Sequence, residues 1–287
     1  ADPISLSDFD SYVTAMRDVH VLVDHEDRKA RIADQLENVA ATKQLQPVAD
    51  ENLLDEVTGL VEWPNVIMGQ IETEFMSLPP EVLVTSMRVH QKFFALSQKG
   101  ATENLAPFFM TVTNRRSDLV NDKLIATGNE RVLRARLADA KFFYEQDKQT
   151  PLDSLAEKLE VITFYEGLGS LADKAERMAA LAEAIANHLD AADPDTARRA
   201  AVLAKVDLAS EMVGEFPELQ GIMGGYYATA AGEAADVADA LTQHYSPQGP
   251  SDEIPASLYG RIVALADKID TLTGFFGIGS KPTGSRD

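Results

Sequence analysis

Apolar positions recur at helical spacing through most of this chain, and at strand spacing only before about residue 115. Residues 7–19 and 25–45 read as helices, with Ser7 and Asp24 as N-caps. In the second, Ile32, Leu36 and Val39 recur while Arg28, Lys29, Arg31, Glu37 and Lys43 stay polar. A short helix covers 49–60, and residues 65–71 are a strand candidate. Pro79 and Pro80 open a helix to His90, since proline suits a first turn. Residues 92–97 and 107–113 read as strands around a loop holding Gly100 and Asn104. From residue 151 every segment has helical period: 153–165, 170–189, 193–213, 220–231, 233–245 and 256–275. Gly167 and Gly169 break the first of these, and Ser170 caps the next. The pattern predicts an α+β protein, with a mixed α/β module over 1–148 and an all-helical domain over 151–287.

One segment stands apart in charge. Residues 111–148 hold eight basic and six acidic side chains, in a chain with 26 basic and 46 acidic residues and a formal charge of −20. On a helix over 130–144, Val132, Leu133, Leu137, Ala140, Phe143 and Tyr144 share one side. Arg131, Arg134 and Lys141 fall opposite. They form either a solvated face with Glu130 and Glu145 or a contact for RNA phosphates or a partner subunit, because a guanidinium fork matches two phosphate oxygens. Arg115, Arg116, His90 and Lys92 belong to the same set of candidates. Arg136 points into the apolar side and predicts a buried or half-buried carboxylate partner, a structural role.

The overall acidity disfavours non-specific attachment to nucleic acid or to an anionic membrane, so any RNA contact must be local. There is no cysteine, hence no disulfide and no thiolate metal site. The five histidines have no metal-ligand spacing. No apolar run approaches the ~18 residues of a membrane span, and the first residues carry no leader pattern; a cytoplasmic protein is expected. Both ends read as cuts in a longer protein.

No nucleotide loop or nucleophile elbow is present, and no catalytic residue is expected. His90, in Val89-His-Gln-Lys-Phe-Phe94, is either a base lacking a partner at motif spacing or a histidine beside a helix C-terminus. Asp207 and Glu211 lie four apart, and Asp267 and Asp270 three apart, a pattern that facing helices can turn into a metal site. The stretch Glu215-Phe-Pro-Glu-Leu-Gln-Gly-Ile-Met-Gly-Gly-Tyr-Tyr-Ala228 reads as a tight helix-to-helix connection. Phe216, Leu219, Ile222 and Met223 form its apolar cluster, Pro217 and Gly221 shape its backbone, and Tyr226 and Tyr227 are candidate surface contacts.

That stretch resembles the β subunit of bacterial heterotetrameric glycyl-tRNA synthetases. So, in the same order, do Val61–Pro64, Leu78–Val82, Val89–Phe94, Gly128–Phe143, Leu168–Leu171, Glu211–Ala228 and Leu265–Ser285. The resemblance implies an internal fragment of a larger subunit that binds tRNA-Gly and assembles with the α subunit. Glycine activation, with ATP and Mg, would take place in the α subunit, and this fragment would bind no cofactor and be inactive alone. Its front part would be similar to the α/β module of the phenylalanyl-tRNA synthetase β subunit. Its helical part is similar to the HD phosphohydrolases, whose metal ligands are a His, a His-Asp pair and a distant Asp. Asp207 and Asp267 match the two aspartates, but Val206 stands for the paired His and Lys174 roughly for the first. The metal site is therefore expected to be degenerate, with Asp207 and Asp267 capping or pairing with Lys205, Lys268 or Arg261. The alternatives are a metal-dependent HD phosphohydrolase and an interaction protein without an RNA role.

Overall fold

The computed structural model describes residues 6–280 and 284. The chain divides into two compact units, Ala1–Lys141 and Phe142–Asp287.

The first unit is built on a four-stranded antiparallel sheet of order β1-β3-β4-β2. The strands are β1 (Leu45–Pro47), β2 (Pro64–Gln70), β3 (Phe94–Gln98) and β4 (Ala101–Asn114). Helices α1 (Phe9–Asp18), α2 (His25–Ala41), α3 (Glu51–Leu60) and α4 (Pro80–Gln91) belong to the same unit. Helix α2 lays Ile32, Leu36 and Ala40 on Val66, Phe94, Leu96 and Met110, and α3 adds Leu53, Leu54 and Val57 to that core. Phe93 stacks on Phe109 at 4.5 Å between ring centroids. Gly69 makes room for that ring, because a Cβ there would lie 2.3 Å from Phe109 Cζ.

Four local readings change. The first helix is capped by Asp8, not Ser7: its carboxylate accepts from the Ser11 amide. Asp24 caps α2 as expected, but α2 stops at Ala41, because Gln44 takes a left-handed turn (φ 59°) that sends Leu45 into the sheet opposite Gln98. The strands either side of Gly100 extend into a two-residue hairpin, with Gly100 at φ 78° supplying the turn. The Arg-rich segment is the end of a 29-residue helix, α5 (Leu119–Asp147).

The second unit is mainly helical, with α6 (Leu152–Lys158), α7 (Leu171–Ala186), α8 (Pro194–Leu203), α9 (Glu211–Glu215), α10 (Ile222–Ala230), α11 (Ala235–Gln243) and α12 (Leu258–Gly277). Helices α7 and α8 bury runs of alanine, Ala175, Ala179, Ala182 and Ala186 on one and Ala197, Ala200 and Ala201 on the other. Small side chains allow two helix backbones to approach closely.

The expectation of an all-helical domain is corrected. Strands β5 (Thr163–Tyr165) and β6 (Gly169–Ser170) form a small antiparallel hairpin. Thr163, Phe164 and Tyr165 favour extended backbone, Gly167 and Gly169 take positive φ at the turn, and both rings pack on Phe275. The segment read as one helix over 193–213 is α8, a 3₁₀ turn (Val206–Ala209) and α9. The chain divides at Lys141/Phe142 rather than at 148–151. The reason is Asp147, at the end of α5, whose carboxylate holds groups of α9 and α10 and ties that last turn to the second unit.

Candidate functional site

Two sets of charged side chains carry the candidate chemistry. In the first unit, α5 places Arg131 and Arg134 at the surface and Lys141 half-buried, with Leu133, Leu137 and Ala140 buried. Val132 does not belong to the apolar side: it is 46% exposed, one step round the helix from Leu133 and beside exposed Arg131. Arg136 is half-buried. Arg134 Nε pairs with Glu72, and Lys141 Nζ lies 2.8 Å from Glu74 Oε2 and over the Phe75 ring. Arg134, Glu72, Glu74 and Phe75 line a cavity of about 620 Å³, together with Ile71, Glu130 and Leu137. Glu130 is also held, accepting from the Gln70 amide at 2.9 Å.

The other basic candidates are spread out. Arg115 Nη2 is 3.9 Å from Asp118, and Arg116 is exposed between β4 and α5. Lys92 ends α4 in a left-handed cap and pairs with Glu56 at 2.8 Å. His90 is exposed in the last turn of α4, where a helix C-terminus favours a positive group.

The second unit gathers a buried cluster around Asp267. Its Oδ1 lies 2.8 Å from Lys174 Nζ and its Oδ2 2.9 Å from Lys205 Nζ. Lys174 also reaches Asp270 Oδ2 at 3.2 Å and donates to the Thr271 hydroxyl at 2.8 Å. Arg177 forks onto both oxygens of Asp270. Lys205 donates to His244 Nε2 at 2.8 Å, while His244 Nδ1–H donates to the Leu241 carbonyl, which fixes the imidazole tautomer. Burial would raise the Asp267 carboxyl, but the ammonium groups of Lys205 and Lys174 win and hold it at about 2. Burial pushes Lys205 down to about 8, with Asp267 opposing, so it stays an ammonium at neutral pH. Burial, and then the neighbouring Lys205 charge, push His244 down to about 3. The imidazole is therefore neutral and acts as an acceptor.

Asp207 does something different. It is fully buried in the 3₁₀ turn before α9, and its Oδ2 accepts from the Gly221 and Gly224 amides at the start of α10. It is thus a cap supplied from a distant turn, satisfying amides that a helix start leaves free. Oδ1 is buried and has no hydrogen-bond partner among the described residues, and burial pushes the carboxyl up to about 6. Lys268 and Arg261 take neither aspartate; they donate to the backbone carbonyls of Ser246 and Ala256.

Among the described residues no group of three or more His, Cys, Asp or Glu side chains is arranged to hold a metal ion. The charge facing Asp267 and Asp270 is supplied by Lys174, Lys205 and Arg177. A cation bound there would meet two ammonium groups within hydrogen-bond distance of its carboxylate.

The 215–228 stretch forms around the Asp207 cap. Phe216, Leu219 and Met223 are buried, and Gly221 starts α10 at φ 80° against the Tyr245 ring, 2.8 Å from where a Cβ would sit. Tyr227 is not a surface contact: it is 2% exposed and donates to Asp147 Oδ2 at 2.8 Å. Asp147 also accepts from the Glu211 and Met212 amides and so caps α9.

A model of the family described as glycyl-tRNA synthetase beta subunit matches residues 1–287. The chain belongs to that family. It is 48% identical to the glycine–tRNA ligase beta subunit of Phenylobacterium zucineum over 99% of its own length and 43% of that protein. It is 49% identical to that of Rhodospirillum centenum over 100% of its length and 40% of that protein. For that of Bacillus subtilis the figures are 46%, 99% and 42%. The chain thus spans about two-fifths of the length of the curated relatives it matches. In this member of the glycyl-tRNA synthetase β-subunit family, the 215–228 motif is a packed element capped by Asp207.

Asp147, Arg177 and His244 were not among the site residues read from sequence. Their partners lie 64, 93 and 39 residues away, separations at which no local spacing signals contact.

Proposed function

We propose that this chain is a segment of a glycyl-tRNA synthetase β subunit. It supports ATP-dependent attachment of glycine to tRNA-Gly by binding tRNA and by assembling with the α subunit, where the chemistry and its ATP and Mg reside. Alone it is inactive and binds no cofactor. Its second unit is an HD-like scaffold in which ammonium groups replace the metal, and its first unit is an α/β module similar to that of the phenylalanyl-tRNA synthetase β subunit. The setting is the cytoplasm. No helix among the described residues is long and apolar enough to cross a membrane.

The observation that carries the tRNA-binding part is the state of the α5 face. Arg131 is exposed, while Arg134 and Lys141 are held by Glu72 and Glu74 in ion pairs at the surface. A phosphate arriving there meets an exposed guanidinium and two cations paired to carboxylates. The test is tRNA-Gly affinity of the intact enzyme as a function of salt. Each lost phosphate contact lowers the slope of log affinity against log salt by about 0.7–0.9. Arg131→Ala should lower the slope by about one such step. Glu72→Gln, which releases Arg134, should tighten binding. Unchanged affinity and slope in both variants would remove α5 from the RNA surface. The phosphohydrolase alternative has Lys174 and Lys205 against it, and no observation for it.

A further inference from the structure

Helix α12 serves the buried cluster with one face and leaves the opposite face bare. Leu265, Ile269, Leu272 and Phe276 are 51%, 37%, 59% and 53% exposed. Their spacing is four, three, four, the a/d seam of a helix that packs against another helix. The other exposed positions between Arg261 and Gly277 are Thr273 and those two ends, so no charge interrupts the seam. The patch continues beyond the helix. Ile278 is 40% exposed, and Tyr165 of the hairpin, 44% exposed, packs on Phe275. Single exposed apolar residues are ordinary, but a contiguous row in helical register marks a surface that is covered in the working protein.

We infer that this face of α12 is the docking site of an amphipathic helix from the same polypeptide, in the part of the longer β subunit that lies outside this segment. The inference rests on the reading that the chain is part of a longer subunit.

Four observations select that occupant. The seam is in helical register, so its complement is a helix with its own a/d stripe. The seam is also short: 12 residues from Leu265 to Phe276 span about 18 Å at 1.5 Å per residue. That is small against the roughly 1,200–2,000 Å² that a stable interface between separate molecules buries. A tethered helix does not need that area, because its effective concentration is in the millimolar range or above. Charge disfavours a second copy. The Phe142–Asp287 unit carries 11 basic and 24 acidic residues, so two such faces would repel as they approach. More than half of each relative's length lies outside the matched region, ample chain to supply the helix.

The test uses thiol labelling of the native full-length β subunit, since these 287 residues contain no cysteine. Leu272→Cys and, independently, Phe276→Cys are labelled under native conditions and located by peptide mass mapping. Ser251→Cys, in an exposed loop, is the control for free access. Expected is labelling at both seam positions at least ten-fold slower than at the control, independent of protein concentration and without the α subunit. Labelling as fast as the control overturns the inference. So does protection that grows with concentration, which would make the occupant a second copy. So does protection that appears only when the α subunit is added. A native polypeptide of only 31.2 kDa by intact mass would overturn the longer-subunit reading itself, and the inference with it.

Discussion

The two units handle their carboxylates in opposite ways. In the first, Glu72, Glu74 and Glu56 hold cations at the surface, each pair in reach of water. In the second, Asp147, Asp207 and Asp270 are buried and Asp267 nearly so, and each is tied to groups far away in the chain. An exposed pair contributes about 0–1 kcal/mol and is screened by salt. Removing one partner from a buried pair costs about 3–5 kcal/mol, because the survivor keeps its desolvation penalty. The first unit's charges can thus be rearranged by a ligand at little cost, while the second unit's charges fix one packing. A polar network that resists rearrangement suits a scaffold; a face of loosely held cations suits a binding surface.

The comparison breaks most visibly at Asp267. Asp267→Ala leaves the ammonium groups of Lys174 and Lys205 facing each other in a buried site. The expected loss is about 3–5 kcal/mol, read from equilibrium urea unfolding of the second unit. A loss below about 1 kcal/mol would place the cluster in the same class as the surface pairs.

A second, pH-dependent effect belongs to Asp207. Its folded pKa of about 6 lies above the ordinary carboxylate value of 3.8, so between those pH values the folded state binds the extra proton. Stability from this group is therefore fully present below pH 3.8 and is lost as pH rises through 6. Asp207→Asn keeps an oxygen for the Gly221 and Gly224 amides and removes the titration. The stability of the unsubstituted chain minus that of the variant should fall with rising pH across this window, by about 1.4 kcal/mol per unit. A flat difference from pH 4 to 6.5 would mean that Asp207 titrates normally. His244 acts in the opposite sense in both chains. It is neutral when folded, and so costs stability as pH falls from 6.5 toward 3. It cancels in the difference.

How much of this was legible in the sequence follows from the same contrast. Periodicity located the helices of the second unit because Ala175, Ala179, Ala182 and Ala186 repeat along one face. It located β2, and the cores of β3 and β4, from short apolar runs. It missed β1, three residues whose strand state comes only from pairing with β3. It missed the β5–β6 hairpin, where the helical pattern before Ile162 masked the aromatic run after it. Asp207 and Asp267 stood out by their place in the 206–211 and 263–272 segments. Capping by Asp207 and the pairing of Asp267 with Lys205 follow the expectation, but the pairing with Lys174 does not, because Lys174 and Asp267 lie 93 residues apart and only the fold joins them. Lys174 stands roughly where the resemblance places a first histidine ligand. The structure adds that its charge is spent on Asp267 and Asp270.

The smallest expected effect sharpens the contrast from the surface side. Glu74→Gln removes the carboxylate that holds Lys141 Nζ at 2.8 Å, with Glu74 59% and Lys141 34% exposed. Lys141 keeps its place over the Phe75 ring and can reach water, so nothing is left buried and unpaired. Stability should change by less than about 1 kcal/mol, and that small change should vanish at high salt. The charge balance of the α5 face nonetheless shifts by one unit toward positive. If the face binds polyanions, Glu74→Gln should tighten the salt-dependent binding of tRNA-Gly by the intact enzyme while leaving unfolding almost unchanged. A variant that unfolds at markedly lower urea would show that Lys141 and Glu74 belong with the buried aspartates. One that neither unfolds earlier nor binds differently would show that the ion pairs on α5 are solvated ornaments of a helix whose work is done by Leu133 and Leu137 beneath.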